Sequence, residues 1–190
     1  MEIRYFEDKT FEKIDFTEKL LEKGEYENCV FNNCNFSNVD LSGIVFAECE
    51  FNGCNLSTAK LNKTTLRDIK FKDCKLLGLH FDSCNEFLLA VYFDNCTLNL
   101  SSFYKLKLKK TTVKNTSLHE VDFTESDLSS SVFDNCDFAG AIFENTILEK
   151  ADFRTSCNYS INPEINKIKK AKFSAAGVVG LLGKYDIDVE

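Results

Sequence analysis

Large apolar residues recur along this chain once every five positions. One phase runs through Phe6, Phe11, Phe16, Leu21, Tyr26, Phe31, Phe36, Leu41, Phe46 and Phe51 to Phe81, and a second runs from Phe93 through Phe103, Phe123, Phe133, Phe138 and Phe143 to Phe153. A helix advancing about 100° per residue would set successive members about 140° apart, and a strand would send alternate members to opposite faces. The period fits neither element. It predicts a chain that turns once per five residues, with the large side chain always inward. The residue two before each centre is small or moderate, as at Cys29, Cys34, Val39, Ile44, Cys49 and Cys54, and again at Val121, Ser126, Ser131, Cys136 and Ala141. Two inward positions and three outward ones make the unit.

Those residues resemble the pentapeptide-repeat family, whose motif is a small residue, Asp or Asn, Leu or Phe, then two polar positions. "CNF" at 34–36, "CNL" at 54–56, "CDF" at 136–138 and "ADF" at 151–153 match it, and the likeness covers roughly residues 26–156. It implies an all-β fold, a right-handed quadrilateral β-helix with four pentapeptides to a coil and about seven coils. Residues twenty apart then become neighbours, like cross-strand pairs. Asp40 with Lys60, Glu50 with Lys70, Lys105 with Glu125, Lys107 with Asp127, and the column Lys114, Asp134, Arg154 are opposite in sign at that spacing. Asn32 with Asn52 and Asn35 with Asn55 are expected to form amide ladders. Glu48 with Asp68 is an exception.

The phase slips between Phe81 and Phe93, twelve residues where ten would keep register, so two extra residues predict a bulge and a kink. Near the N-terminus Arg4, Lys9 and Lys19 replace the small residue, which reads as a terminal coil with an exposed edge, and "TEKLLEKGE" as an outward bulge. After Phe153 "NYSINPEINKIKKAKF" reads as irregular, "SAAGVVGLLGKY" as a short apolar helix with Ser174 as N-cap, and "YDIDVE" as a strand. The chain thus divides into a β-helix over residues 1–156, with a break near 82–92, and a C-terminal cap over 157–190. A stack of coils needs its end covered. Val178, Val179, Leu181 and Leu182 exceed what one cap needs, and with Tyr185 and Ile187 they form an expected dimer surface. The tail is similar to the dimer-forming C-terminal helix of quinolone-resistance members of the family, which implies a homodimer through this end.

At 190 residues, 44% hydrophobic and 28% charged, the chain has room for one domain with a sizeable core. Its charged N-terminus holds no apolar run long enough for a signal peptide or a membrane span. A cytoplasmic location is expected, and with it free thiols for the nine cysteines. Eight of them occupy the small inward position and are read as packing groups, with no role for zinc or any other metal, while Cys157 lies outside the pattern as the one open to reaction. No cofactor is expected. His80 and His119 face outward with no nucleophile fixed beside them, and no phosphate-cradling loop appears, so no catalytic activity is expected. A net charge of -7 disfavours direct nucleic-acid binding. The basic run "YKLKLKK" at 104–110 reads as a solvated, partly paired surface.

From Leu118 to Phe153 nine acids, Glu120, Asp122, Glu125, Asp127, Asp134, Asp137, Glu144, Glu149 and Asp152, face Lys150 alone. With coils rising about 4.8 Å, that is roughly one net charge per Å, where B-DNA carries one per about 1.7 Å. The repeat phase distributes these acids over all four sides of the rod, two or three apiece. Quinolone-resistance (Qnr-type) and microcin-immunity members that this chain resembles protect DNA gyrase and topoisomerase IV, some of them as mimics of duplex DNA. The resemblance implies a gyrase-interacting DNA mimic that lessens the action of topoisomerase poisons, with Glu120, Asp122, Glu125, Asp127, Asp134, Asp137 and Glu144 as partner contacts. Qnr-type members project longer loops than the two extra residues found here. The alternative is a scaffolding module with an unrelated protein partner. A single electronegative face favours the first reading, and a mixed surface with an apolar patch the second.

Overall fold

The computed structural model describes residues 4–185, 187 and 188. The chain turns a corner after each pentapeptide and winds into the right-handed quadrilateral β-helix of about seven turns. Its first side is a parallel sheet of Arg4–Glu7, Gly24–Glu27, Val45–Ala47 and Thr65–Arg67, continued past the break by the bridged column Lys107, Asp127, Ile147, Lys167. The second side is a seven-stranded parallel sheet running from Thr10–Glu12 to Val132–Asp134. Bridged residues mark the other two, the column Asn35, Asn55, Lys75, Thr97, Ser117 and Asp137 on the third, and Asp40 with Lys60 and then His80, Ser102 and Asp122 on the fourth.

Two local devices make the corners. The residue two after most centres takes a left-handed backbone, as at Asn33 (φ 53°), Asn38 (60°), Asn135 (54°) and Gly140 (71°). Gly, Asn and Asp tolerate that conformation best. Leu100 holds it at φ 61° without that tolerance. Leu100→Asn is therefore expected to raise stability by about 1 kcal/mol in urea denaturation. The second device explains the Asp or Asn of the motif. Its side-chain oxygen accepts the N–H two residues on: Ser37 to Asn35 at 3.1 Å, Thr124 to Asp122 at 2.8 Å, Ser129 to Asp127 at 3.0 Å and Ala139 to Asp137 at 3.1 Å.

Inside, the large residues stack coil upon coil. On the second side Phe11, Phe31, Phe51, Phe71 and Phe93 lie face to face with centroids 4.7, 4.7, 5.1 and 5.4 Å apart, and edges meet across columns, as for Phe31 and Phe36 at 5.6 Å. The small inward column does more than pack. The Cys54 thiol accepts the Cys34 N–H at 3.4 Å and donates to the Phe31 carbonyl at 3.2 Å. Ser131 links the Thr111 N–H (3.2 Å) to the Leu108 carbonyl (2.9 Å), and Ser156 links Cys136 (3.3 Å) to Phe133 (2.9 Å) in the same way. Each bridges the two backbone groups that a tighter turn joins directly, as Val39 N–H does to the Phe36 carbonyl at 3.0 Å, with apolar Ala59 in the next coil. Cys, Ser and Thr recur at this position because each brings a donor and an acceptor. Burial pushes three of these thiols up, Cys34 to about 11 and Cys49 and Cys136 to about 12, so those three stay protonated donors at neutral pH. Cys54→Ser is expected to keep the bridge, whereas Cys54→Val leaves the Phe31 carbonyl and Cys34 N–H unpaired and costs about 1–3 kcal/mol by the same denaturation measurement.

Twenty-residue spacing holds as far as Asn85, whose amide donates to Thr65 Oγ1 at 3.3 Å. Beyond the break Val91 and Phe93 pair with Ile69 and Phe71. The two extra residues therefore lie within 86–89, where Phe87 is 72% exposed, Leu88 is left-handed (φ 59°) and Leu89 leans onto the core.

The structure corrects the reading of the C-terminal segment in three places. The β-ladder does not stop at Phe153: Ile147 pairs with Lys167, Asp152 with Lys172, and Phe153 stacks on Phe173 at 5.6 Å. Residues 157–173 form a further coil, so a division at 156 cuts through the ladder. Asn158 and Pro163 stand where inward centres would fall, and Tyr159, Ile161 and Asn166 are buried instead. Asn166 takes over the bridging role, accepting from Thr146 N–H and donating to the Phe143 carbonyl, both at 2.8 Å. Secondly, the expected apolar helix is two 3₁₀ turns, Gly177–Leu181 and Gly183–Tyr185. The N-cap of the first is Ala176 in place of Ser174, whose hydroxyl nonetheless accepts Gly177 N–H at 2.9 Å. Glycines at 177, 180 and 183 disfavour an α-helix, and the chain passes so close to Tyr159 that a β-carbon at Gly180 would fall 2.2 Å from its carbonyl oxygen. Thirdly, the expected strand is not formed at Tyr185, which ends the second 3₁₀ turn, nor at Ile187, which lies in no regular element. Asp186, Val189 and Glu190 of that strand lie outside the described residues.

Candidate partner-binding surface

Each predicted acid can be placed on a side. Glu120 and Asp137 lie on the third, at its corner and in its bridged column, and Asp122, Glu125 and Glu144 on the fourth. Together with Glu164 these acids occupy adjoining sides of the second half of the rod, where among the described residues the cations set against them are Lys105, paired with Glu125, and Lys184, paired with Glu164, beside His119. Asp127 falls on the first side and Asp134 on the second. Both stand among cations, Asp127 against Lys109 at 3.1 Å and Asp134 between Lys114 and Arg154 in the coil-to-coil column. Five of the seven acids thus share one flank. Twenty-residue spacing already sets cations beside the other two, Lys107 by Asp127 and Lys114 and Arg154 by Asp134.

The predicted pairs form selectively. Lys70 reaches Glu50 at 2.9 Å and Lys105 reaches Glu125 at 3.6 Å. Asp127 takes Lys109 in place of Lys107, Asp40 takes Lys23 at 3.9 Å in place of Lys60, and Arg154 turns to Asp152 at 2.8 Å in place of Asp134. Side chains this long choose among neighbours, and exposed pairs of this kind contribute about 0–1 kcal/mol. The amide ladder forms between Asn52 and Asn32 at 3.1 Å, while Asn35 donates to Asp15 at 3.1 Å.

Several of these carboxylates are held below their ordinary range. For Asp127 and Asp137 burial pulls upward, but hydrogen bonds from Ser129 and Lys109, and from Asn158 and His119, outweigh it; for Asp152 the bond from Arg154 leads. A folded-state value below the unfolded one, about 3.9 for Asp, contributes stability above that pH, which is lost as pH falls through the folded value. The urea midpoint should stay level from pH 7 to pH 5 and fall below about pH 4, and Asp152→Asn should flatten the fall.

The tail residues fall into two groups. Leu181 packs against the core end and Leu182 is half-buried, whereas Val178, Val179, Tyr185 and Ile187 are exposed. Cys157 is the exposed cysteine, its thiol pushed up by burial and by Asp137, which lowers its thiolate fraction at neutral pH. His119 is held by Asp137 at 2.9 Å and His80 by Asp82 at 3.3 Å. Among the described residues no group of His, Cys, Asp and Glu side chains is arranged to hold a metal ion.

The chain matches the pentapeptide repeat region over residues 24–87 and 44–123, and pentapeptide repeats (8 copies) over 116–154, more than half its length. It belongs to the pentapeptide-repeat family. Among solved pentapeptide-repeat structures it is similar to a trypsin-treated form of QnrB1, a plasmid-mediated fluoroquinolone resistance protein, at 19% identity over 100% of both chains with a TM-score of 0.56. It also matches HetL, a pentapeptide-repeat protein involved in heterocyst differentiation regulation from the cyanobacterium Nostoc, at 14% identity over 88% of this chain and 84% of that one, with a TM-score of 0.42. No curated protein matches it in sequence. At these identities the likeness concerns the pentapeptide-repeat fold alone.

Proposed function

We propose that this pentapeptide-repeat protein acts in the cytoplasm by binding DNA gyrase or topoisomerase IV as a mimic of duplex DNA, lessening the action of quinolone-like poisons. The acidic flank carries the reading. Glu120, Asp122 and Glu125 in one coil, Asp137 and Glu144 in the next and Glu164 beyond them span three coils. At about 4.8 Å per coil, and with Lys105 and Lys184 subtracted, this is roughly one net charge per 3.6 Å, about half the density of B-DNA. The likeness to QnrB1, a fluoroquinolone resistance protein, supports the same reading. Exposed Val178, Val179, Tyr185 and Ile187 support a homodimer through the C-terminal end.

The test is gyrase supercoiling and drug-induced DNA cleavage with the purified chain titrated in. A variant with Glu120, Glu125 and Glu144 changed to Gln and Asp122 and Asp137 to Asn keeps the side-chain oxygens that cap the corners. Wild type is expected to act at micromolar levels and the variant to lose at least tenfold. No effect from either would remove the topoisomerase reading. The scaffold alternative, favoured by the exposed apolar Phe87 and Leu88 beside the charged surface, would then stand.

A further inference from the structure

The first side of the rod is electrically divided at the insertion. Before it, Glu7 and Asp8, Glu25 and Glu27, Glu48, Asp68 and Glu86 set seven acids against Arg4 and Arg67. After it, Lys107, Lys109 and Lys110, then Lys150, then Lys167, Lys169 and Lys170 set seven lysines against Asp127 and Glu149. All seven lysines are exposed, and among the described residues only Lys109 forms an ion pair. In the acidic half Glu27 pairs with Arg67 at 3.6 Å and leaves most of the charge unmatched. Lys150 and Lys170 stand one coil apart in a corner column with left-handed φ of 60° and 59°. Like charges so placed repel one another.

We propose that this side is a self-complementary docking surface for a second copy of the chain, laid antiparallel so that each acidic half covers the other's basic half. The halves carry equal and opposite excess charge, which a parallel arrangement would set like against like. An isologous contact needs a patch that is its own complement under a two-fold rotation. The axis falls at the insertion, where Phe87 (72% exposed) and Leu88 (54%) supply an apolar centre inside a charged rim. An acidic polymer would satisfy only the basic half. The side is roughly 40 Å by 12 Å, so the contact buries about 1,000 Å² in total, the lower end for specific association. It is therefore weak and strongly salt-dependent. It is also separate from the apolar tail, and it leaves the acidic third and fourth sides outward.

Sedimentation equilibrium tests this in a background with Val178 and Val179 changed to Ser, so that the tail does not associate. Dimers are expected at low salt and monomers at high salt. One variant carries Lys107, Lys109 and Lys110 changed to Glu, and another Glu25, Glu27 and Glu48 changed to Lys. Each alone should be monomeric at low salt, with unchanged circular dichroism, and an equimolar mixture should regain dimers as heterodimers. A monomer at every salt concentration, dimers that persist in each variant alone, or a mixture that stays monomeric would overturn the proposal.

Discussion

Phe51→Ala is expected to lower stability by about 3–5 kcal/mol, the largest effect of any single truncation on the second side. Phe51 is 1% exposed and stacked between Phe31 at 4.7 Å and Phe71 at 5.1 Å, with the edges of Phe36 and Phe46 against it at 5.8 and 5.5 Å. Its removal deletes a rung from an aromatic column whose neighbours are held at coil spacing by the backbone ladder, so the cavity cannot close by collapse. Phe51→Leu should cost far less, since Leu56, Leu61 and Leu66 fill the same kind of site in the following pentapeptides. Phe51→Asp should not fold, because its charge would have no partner. Urea denaturation followed by circular dichroism separates the three. Because each coil of a solenoid touches only its neighbours, Phe51→Ala is also expected to broaden the transition and to raise amide exchange in coils adjoining residue 51 first. Equal loss from Phe51→Leu and Phe51→Ala would contradict the stacked-column account.

Deleting Glu86 and Phe87 is expected to stabilise the protein by about 2 kcal/mol. The deletion joins Asn85 to Leu88 and leaves Cys84, Asn85 and Leu88 as the first three positions of the family motif with Leu88 as its centre, followed by Leu89 and Ala90 where the motif has polar residues. Leu88 now lies 54% exposed, and the first side has no regular inward centre between Leu66 and Leu108. Restored register would bring Leu88 between them, and burying a leucine is the source of the gain. The measurement is the shift in urea midpoint, accompanied by the loss of the left-handed φ of 59° at Leu88 in favour of one at Ala90. A less stable deletion would mean that the half-buried Leu89 already fills the column and that the insertion belongs to the packing.

The repeat was legible because every centre from Phe31 to Phe81 sits five residues after the last, and a corner at every fifth residue is the arrangement that keeps all of them inside. The coil over 157–173 was not, because Asn158 and Pro163 break the period and the packing moves to Tyr159, Ile161 and Asn166. A scan for fives has no term for such a shift. The left-handed corners gave no signal there either, since those of this coil fall at Asn158, five after Phe153, and at Lys170. The thiol bridges were invisible for another reason: Cys54 reads as a small hydrophobe until the N–H of Cys34 and the carbonyl of Phe31 are seen on either side of it. The acidic flank depended on cations as much as on acids. Twenty-residue spacing sets Lys107 beside Asp127 and no cation beside Glu120, and the structure puts Lys109 in the place of Lys107.

Competition between this chain and duplex DNA for gyrase tests the central claim most directly. Labelled wild-type chain is titrated with gyrase, and duplex DNA is then added to the complex, with the Glu120, Asp122, Glu125, Asp137 and Glu144 neutralised variant run in parallel. The acidic-flank account predicts saturable binding at micromolar levels, displacement by DNA and loss of binding in the variant. Absence of binding, or binding indifferent to both DNA and neutralisation, would contradict it.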